Sequence, residues 1–203
     1  MKYKCDRAWA EVSLDALAEN YKKLSAWTGP SCKVLCVIKG NAYGHGAVAV
    51  SRELERVGCE ILGAATMEEA MELRENGIRL PVLLLGPISP AHAALAIEQG
   101  FILPFIHEDC AKEISQAAAA AGKTVEAHLK IDTGMSRYGL SVGKDMDACV
   151  AEALRITKLP NVRVTGVFTH LAVAGDPAED SLTKGQLALI REFSERMAAA
   201  WVK

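Results

Sequence analysis

The 203-residue chain reads as a parallel α/β protein, on three observations. Apolar runs of strand length recur along it, most of them continuously apolar rather than alternating, the pattern of parallel strands covered on both faces. Each run ends in a polar or glycine-rich turn and is followed by an amphipathic helical pattern, a βα unit repeated at about 20–40-residue spacing. No Gly-x-Gly-x-x-Gly turn follows the first run, so a (β/α)8 barrel is preferred over an open doubly wound sheet. About six units are present where a barrel needs eight, so the expected fold is an incomplete TIM barrel.

Taken in order, Ala8 to Val12 is expected as a short opening strand. Ser13 then caps a helix whose Leu14, Leu17, Tyr21 and Leu24 share one face. The recurring runs are 34–38, 61–65, 81–85, 101–106, 125–131 and 164–169. Thr66-Met-Glu-Glu69 is a capping box for the helix after the second run, and Gly77 closes that helix. Ser89-Pro90 sets a cap before a proline at the first helical position, with Gly100 ending the segment. Glu108 and Asp109 open a further helix that stops at Gly122. Leu187, Ile190, Phe193, Met197 and Trp201 carry an amphipathic helix almost to Lys203 without a stopping signal, which suggests the front part of a longer protein.

Composition narrows the function. Half the residues are hydrophobic and 24% are charged, so the chain can bury a core and is not intrinsically disordered. Its 23 basic and 25 acidic side chains leave a formal charge of −2, and aromatics make up only 5%. Neither a polyanion-binding surface nor a base-stacking platform is expected, so no nucleic-acid partner is inferred. Cys5, Cys32, Cys36, Cys59, Cys110 and Cys149 form no CxxC pair and read as reduced thiols of a cytoplasmic protein. Met1 to Arg7 leads into no apolar signal segment. The uncharged stretch from Leu80 to Ile97 is broken by Pro81, Gly86, Pro87, Pro90 and His92, so no membrane span is expected.

In a parallel α/β barrel, reactive groups gather at the carboxyl ends of the strands. Those positions hold Lys39, then Lys130, Asp132 and Arg137, then His170, all expected on one rim. A lysine at such a place is either a solvated edge charge or a desolvated amine free to condense with an aldehyde cofactor. The nearby Gly40, Gly44 and Gly46 would allow close backbone approach to a bulky ligand. Arg137 also admits a surface ion pair, and His170 a satisfied core histidine. His107-Glu-Asp-Cys110 has the composition of a metal cluster, but its acids sit where a helix begins, so capping is preferred and no metal site is expected. His45 and His92 receive no catalytic role.

The run Lys39-Gly-Asn-Ala-Tyr-Gly-His-Gly46 resembles the cofactor-lysine motif of the alanine racemases, pyridoxal-phosphate (PLP) enzymes built on a (β/α)8 barrel. His128-Leu-Lys-Ile-Asp-Thr-Gly-Met-Ser-Arg137-Tyr-Gly is similar to that family's second motif, and Gly166-Val-Phe-Thr-His170-Leu-Ala to its third. Gln186 with Phe193 matches the helix beyond, and Trp9-Ala-Glu-Val-Ser-Leu-Asp-Ala-Leu17 resembles the opening, so the likeness is collinear over essentially the whole chain. Tyr138 departs from the pattern, leucine being usual there, and is expected to alter packing more than chemistry.

The resemblance implies that Lys39 is the Schiff-base lysine and one of two catalytic bases. It implies that Tyr43 donates its hydroxyl to the PLP phosphate and that Arg137 lies near the cofactor's phenolic oxygen and the substrate carboxylate. His170 would stack near the ring and bond to a later arginine. Lys130 matches a lysine that some members carbamylate, whose anion would pair with Arg137. The implied activity is interconversion of L-alanine and D-alanine, supplying D-alanine for peptidoglycan, in a protein that is a cytoplasmic homodimer at full length. Residues 1–203 would be the N-terminal part of the PLP-binding barrel. The remaining strands and a C-terminal β-domain, with the tyrosine that serves as second base, would lie beyond Lys203. Two other readings share the strand-end lysine or the fold: a single-domain PLP-homeostasis protein, and the serine racemase domain of a membrane-bound resistance protein.

Overall fold

Ser13 opens the first helix in the computed structural model, which describes residues 8–201 without the side chain of Trp201. The Ser13 hydroxyl accepts from the Ala16 N–H, and α1 runs over Leu14–Thr28. Residues 8–12 are not the strand their pattern suggested; they are exposed and irregular. A strand exists only through its ladder, and none of the described strands pairs with this segment. Cys5 and Lys203 lie outside the described residues.

The chain forms two compact units, Met1–Val82 and Leu83–Lys203. In the first, β1 (Leu35–Val37) pairs in parallel with β2 (Ile61–Ala64), Leu35 opposite Ile61 and Val37 opposite Gly63. Between them come a single turn, α2 (Lys39–Tyr43), and the helix α3 (Ala47–Arg56). The helix α1 packs on α3, and the Tyr21 hydroxyl donates to the Gly58 carbonyl at 3.1 Å. Thr66 and Glu69 form the expected capping box at the start of α4 (Met67–Glu75). Val50, Leu54, Leu62, Ala64, Ala70 and Leu73 make the core of this unit. Burying each of the larger side chains contributes about 1.5–3 kcal/mol.

The division falls within β3 (Val82–Leu84). In the second unit Leu83 bridges in parallel to Ile102, and β4 (Leu103–Phe105) pairs in parallel with β5 (Val125–Asp132). On its other side β5 pairs with β7 (Val162–Phe168), with a register shift between Ala127 and His128. A two-residue strand, β6 (Leu140–Ser141), pairs with the end of β5; it is too short to leave a periodic signal. A 3-10 turn at Pro90–His92 leads into α5 (Ala93–Glu98), and α6 (Glu108–Ala120), α7 (Met146–Thr157) and α8 (Asp180–Trp201) complete the unit. His107 caps α6, its Nδ1 accepting from the Cys110 N–H at 3.0 Å, and the acids Glu108 and Asp109 occupy the first turn rather than the capping position.

Two expectations need correction. The last apolar run is not covered on both faces: along β7 half-buried and exposed residues alternate. Its open face carries Arg163 and Thr165, both bonded to Glu126, beside Val167, so it is a polar face facing water. On α8, Phe193 and Met197 are buried as expected, but Leu187 is exposed and Gln186 takes the inward place. The polar network described below gives Gln186 partners there. The architecture is therefore parallel α/β, without a closed barrel among the described residues.

Candidate active site

Lys39 stands two residues past β1 and is half-buried. The turn after it winds the wrong way for L-residues. Gly40, Asn41, Ala42 and Tyr43 have φ of 60°, 55°, 53° and 53°, a left-handed turn in which three of four residues carry a Cβ. Each non-glycine residue in that conformation costs roughly 1–2 kcal/mol, and such strain persists only where surrounding bonds over-determine it. The bonds are present. Ala42 N–H donates to Ile38 O at 2.7 Å, and Asn41 Oδ1 accepts from Ala47 N–H at 2.7 Å. The His45 ring and backbone N–H both meet Ala42 O. Gly44 and Gly46 continue with φ of 88° and 93°. A Cβ on either would meet nothing within 4 Å, so their conformation, rather than close approach of another group, is what requires glycine. The Tyr43 side chain is exposed, and its ring centroid lies 5.8 Å from Lys39 Nζ.

The second unit brings Lys130, Arg137 and Tyr138 together. Lys130, on β5, is buried; its Nζ donates to Ile131 O at 2.9 Å and lies 5.6 Å from the Tyr138 ring and 5.7 Å from that of Phe168. Burial pushes its proton affinity below that of an ordinary lysine, the Arg137 charge adds to this, and Asp132 opposes it. The Arg137 side chain is exposed and stacks on Tyr138, its Cζ 5.0 Å from the ring centroid. Among the described residues no carboxylate pairs with it, so the surface ion pair is not what holds this arginine. Tyr138 is held in place at both ends: its hydroxyl donates to Leu85 O at 2.8 Å while its ring faces both cations. Asp132 organises the intervening turn by accepting from the Gly134 and Ser136 N–H groups.

His170 follows β7 and is exposed, so it is not a core histidine. Its carbonyl accepts from Gln186 Nε2 at 3.3 Å. Buried Gln186 also donates to Thr133 Oγ1 and accepts from Ala172 N–H, while Thr133 and Thr169 share a hydroxyl–hydroxyl bond of 2.8 Å. This network ties the ends of β5 and β7 to α8. Reading strand ends alone misses Thr133 and Thr169, because uncharged hydroxyls in an apolar setting carry no chemical signal until their partners are known; Gln186 stands out only through the family resemblance, without a role.

The chain matches the profile of the family described as "Alanine racemase, N-terminal domain" over residues 12–203. It belongs to that family. The alanine racemase of Desulfosudis oleivorans is 38% identical over 199 residues, covering 95% of this chain and 50% of that protein. The one from Desulforamulus reducens is 38% identical over 178 residues, 88% of this chain and 47% of its own length. The alanine racemase of Clostridium difficile 630 superposes with a TM-score of 0.85 at 32% identity, covering 94% of this chain and 48% of that one. Its complex with cycloserine superposes equally well. The fold is accordingly a partial TIM barrel, and the chain spans about half the length of the relatives it matches.

Proposed function

We propose that this chain carries the cofactor-lysine half of a PLP-dependent amino-acid racemase that interconverts L-alanine and D-alanine. The observation that carries the reading is Lys39, a half-buried primary amine at the end of a parallel strand, followed by a strained turn held by several bonds. A fixed, left-handed backbone beside an amine is an expensive feature, and pre-organisation of a reacting group accounts for it. The groups present fit PLP. In the first unit the Lys39 amine is available for its aldehyde, the Tyr43 phenol for one of its oxygens, and the turn at Gly44 and Gly46 leaves open space; the second unit by itself offers the Arg137 guanidinium. When bound, PLP supplies the electron sink that makes an amino-acid α-proton removable.

The protein side of the reaction falls to named residues. Lys39 acts as base, moving a proton at the α-carbon on one face. Arg137, braced by the Tyr138 ring, orients the substrate carboxylate, for which a planar guanidinium is well shaped. Tyr43 would donate to the cofactor phosphate, and His170, whose carbonyl accepts from Gln186, would stand by the ring. Lys130, if converted to a carbamate, would become an anion able to pair with Arg137. A relative's complex with cycloserine supports a small, alanine-sized ligand. In this reading residues 1–203 are the N-terminal part of the barrel. The remaining strands, a C-terminal β-domain with the opposite-face base, and a homodimer belong to the whole protein, as does a place in D-alanine supply for the cell wall. A reducing cytoplasm suits the free thiols at Cys32, Cys36, Cys59, Cys110 and Cys149.

Adding PLP to the chain should produce a new absorption band that Lys39→Ala abolishes, and borohydride reduction should trap the cofactor on the peptide containing Lys39. Trapping on Lys130 instead overturns the assignment. The full-length protein should then convert L-alanine to D-alanine; PLP binding without turnover would favour the homeostasis protein.

A further inference from the structure

Glu69 is the third residue of α4, where a capping box requires it only to reach back to the Thr66 N–H. That bond is its longest, at 3.3 Å. Two shorter ones go elsewhere. Oε2 accepts from Ala65 N–H at 2.7 Å, just past the end of β2, and Oε1 accepts from Gly40 N–H at 2.7 Å. Gly40 directly follows Lys39, so the N–H concerned belongs to the Lys39–Gly40 peptide. That N–H stands at the start of the left-handed turn, where no carbonyl of the turn can reach it.

We infer that Glu69 is a positioning residue for Lys39, its carboxylate fixing the Lys39–Gly40 peptide plane by stitching the ends of β1 and β2 to the first turn of α4. The inference rests on the proposed role of Lys39. A lysine side chain has four rotatable bonds, so the protein aims its amine chiefly by fixing the backbone it leaves from. Three N–H donors, from Gly40, Ala65 and Thr66, converge on two carboxylate oxygens. Only an anion accepts from all three. A glutamine offers one oxygen and turns an N–H2 group toward a donor; an aspartate is one methylene too short to span both strand ends. The strained backbone from Gly40 to Tyr43 gives the clamp its purpose, because a turn of that kind relaxes when its first peptide is released.

The test compares Glu69→Gln with Thr66→Ala, in the 203-residue chain titrated with PLP and followed by absorbance and borohydride trapping. Thr66→Ala removes the hydroxyl that accepts from Glu69 N–H, weakening the α4 cap while leaving the carboxylate on Gly40. Glu69→Gln should weaken covalent PLP capture at Lys39 about tenfold or more, and Thr66→Ala by no more than about twofold. Equal weakening by both variants, or unchanged capture in a folded Glu69→Gln, overturns the positioning role while leaving Lys39 as the cofactor lysine. Trapping on a different lysine in the unaltered chain overturns the reading beneath it and the inference together. Amide hydrogen exchange in the unaltered chain gives a check that needs no variant. The Gly40 amide should be protected like those of the β1–β2 ladder, and exchange at the rate of an unbonded amide would refute the clamp.

Discussion

Replacing Asn41 separates the two jobs that its backbone and side chain perform. The side chain caps α3: Oδ1 accepts from the Ala47 N–H at 2.7 Å, where Gly46, the residue in the capping position, has no side chain to offer. Losing a side-chain cap costs about 1 kcal/mol. The backbone of Asn41 sits at φ 55°, ψ 46°. Asparagine tolerates this conformation better than alanine, and the difference adds roughly 1 kcal/mol for Asn41→Ala. The alanine variant should therefore lose about 2 kcal/mol in total. Asn41→Gly gives up the cap but eases the backbone, so it should lose about 1 kcal/mol or less. Asn41→Asp keeps the acceptor and puts a negative charge at the start of a helix, so it should stay within about 0.5 kcal/mol of the unaltered chain. Urea unfolding followed by far-ultraviolet circular dichroism resolves these steps, since 2 kcal/mol moves the midpoint by roughly 1 M. The expected order is Asn and Asp together, then Gly, then Ala. Glycine less stable than alanine would refute the left-handed account, and aspartate as poor as alanine would refute the cap.

Gly139→Ala puts a Cβ 2.6 Å from the Lys130 carbonyl oxygen at φ 124°, a backbone-on-backbone clash that no rotamer relieves. It should cost about 3 kcal/mol or more, read from urea midpoints, and a loss below 1 kcal/mol would refute it. Lys130→Met should raise stability at neutral pH. The folded state lowers the affinity of this amine for its proton, chiefly by burial, so the unfolded chain binds more protons between the depressed folded value and the ordinary lysine value of about 10.4. Stability of the unaltered chain should accordingly rise with pH through that window, and the methionine variant should lose this rise. Parallel stability profiles for the two proteins would contradict it.

The parallel α/β fold and several helix caps are legible in the sequence itself. The strand-end rule singles out Lys39, Lys130, Arg137 and His170 as the proposed site residues, because in parallel α/β folds chemistry collects where strands stop. The capping box at Thr66 and Glu69 and the cap at Ser13 were legible because short-range hydrogen bonds leave a local pattern. What escaped depended on partners distant in sequence. The bond from the Tyr138 hydroxyl to Leu85 O and the two cations at its ring leave no local pattern, because their partners lie elsewhere in the chain. Glu69 looked complete within its own helix, and nothing 29 residues earlier announced a donor for its other oxygen. Residues 8–12 differ from the strand expected of them for the same reason, since alternation specifies a face but not a ladder partner.

The length of the motif from Lys39 to Gly46 has a physical cause that chemistry alone does not provide. An amine needs one residue. Yet Gly40, Asn41, Ala42, Tyr43, Gly44 and Gly46 all hold positive φ, and His45 bonds twice to Ala42 O. Three of those positive-φ residues carry side chains, which at roughly 1–2 kcal/mol each amounts to several kcal/mol of local strain. Asn41 and Glu69 offset part of it with bonds reaching to α3 and from α4. Most of the motif therefore encodes a backbone, and in the proposed reading that backbone is what aims the lysine. A transplanted lysine on a right-handed helix start would carry the same amine without its aim, so the proposed site is specified by the whole run rather than by the residue alone.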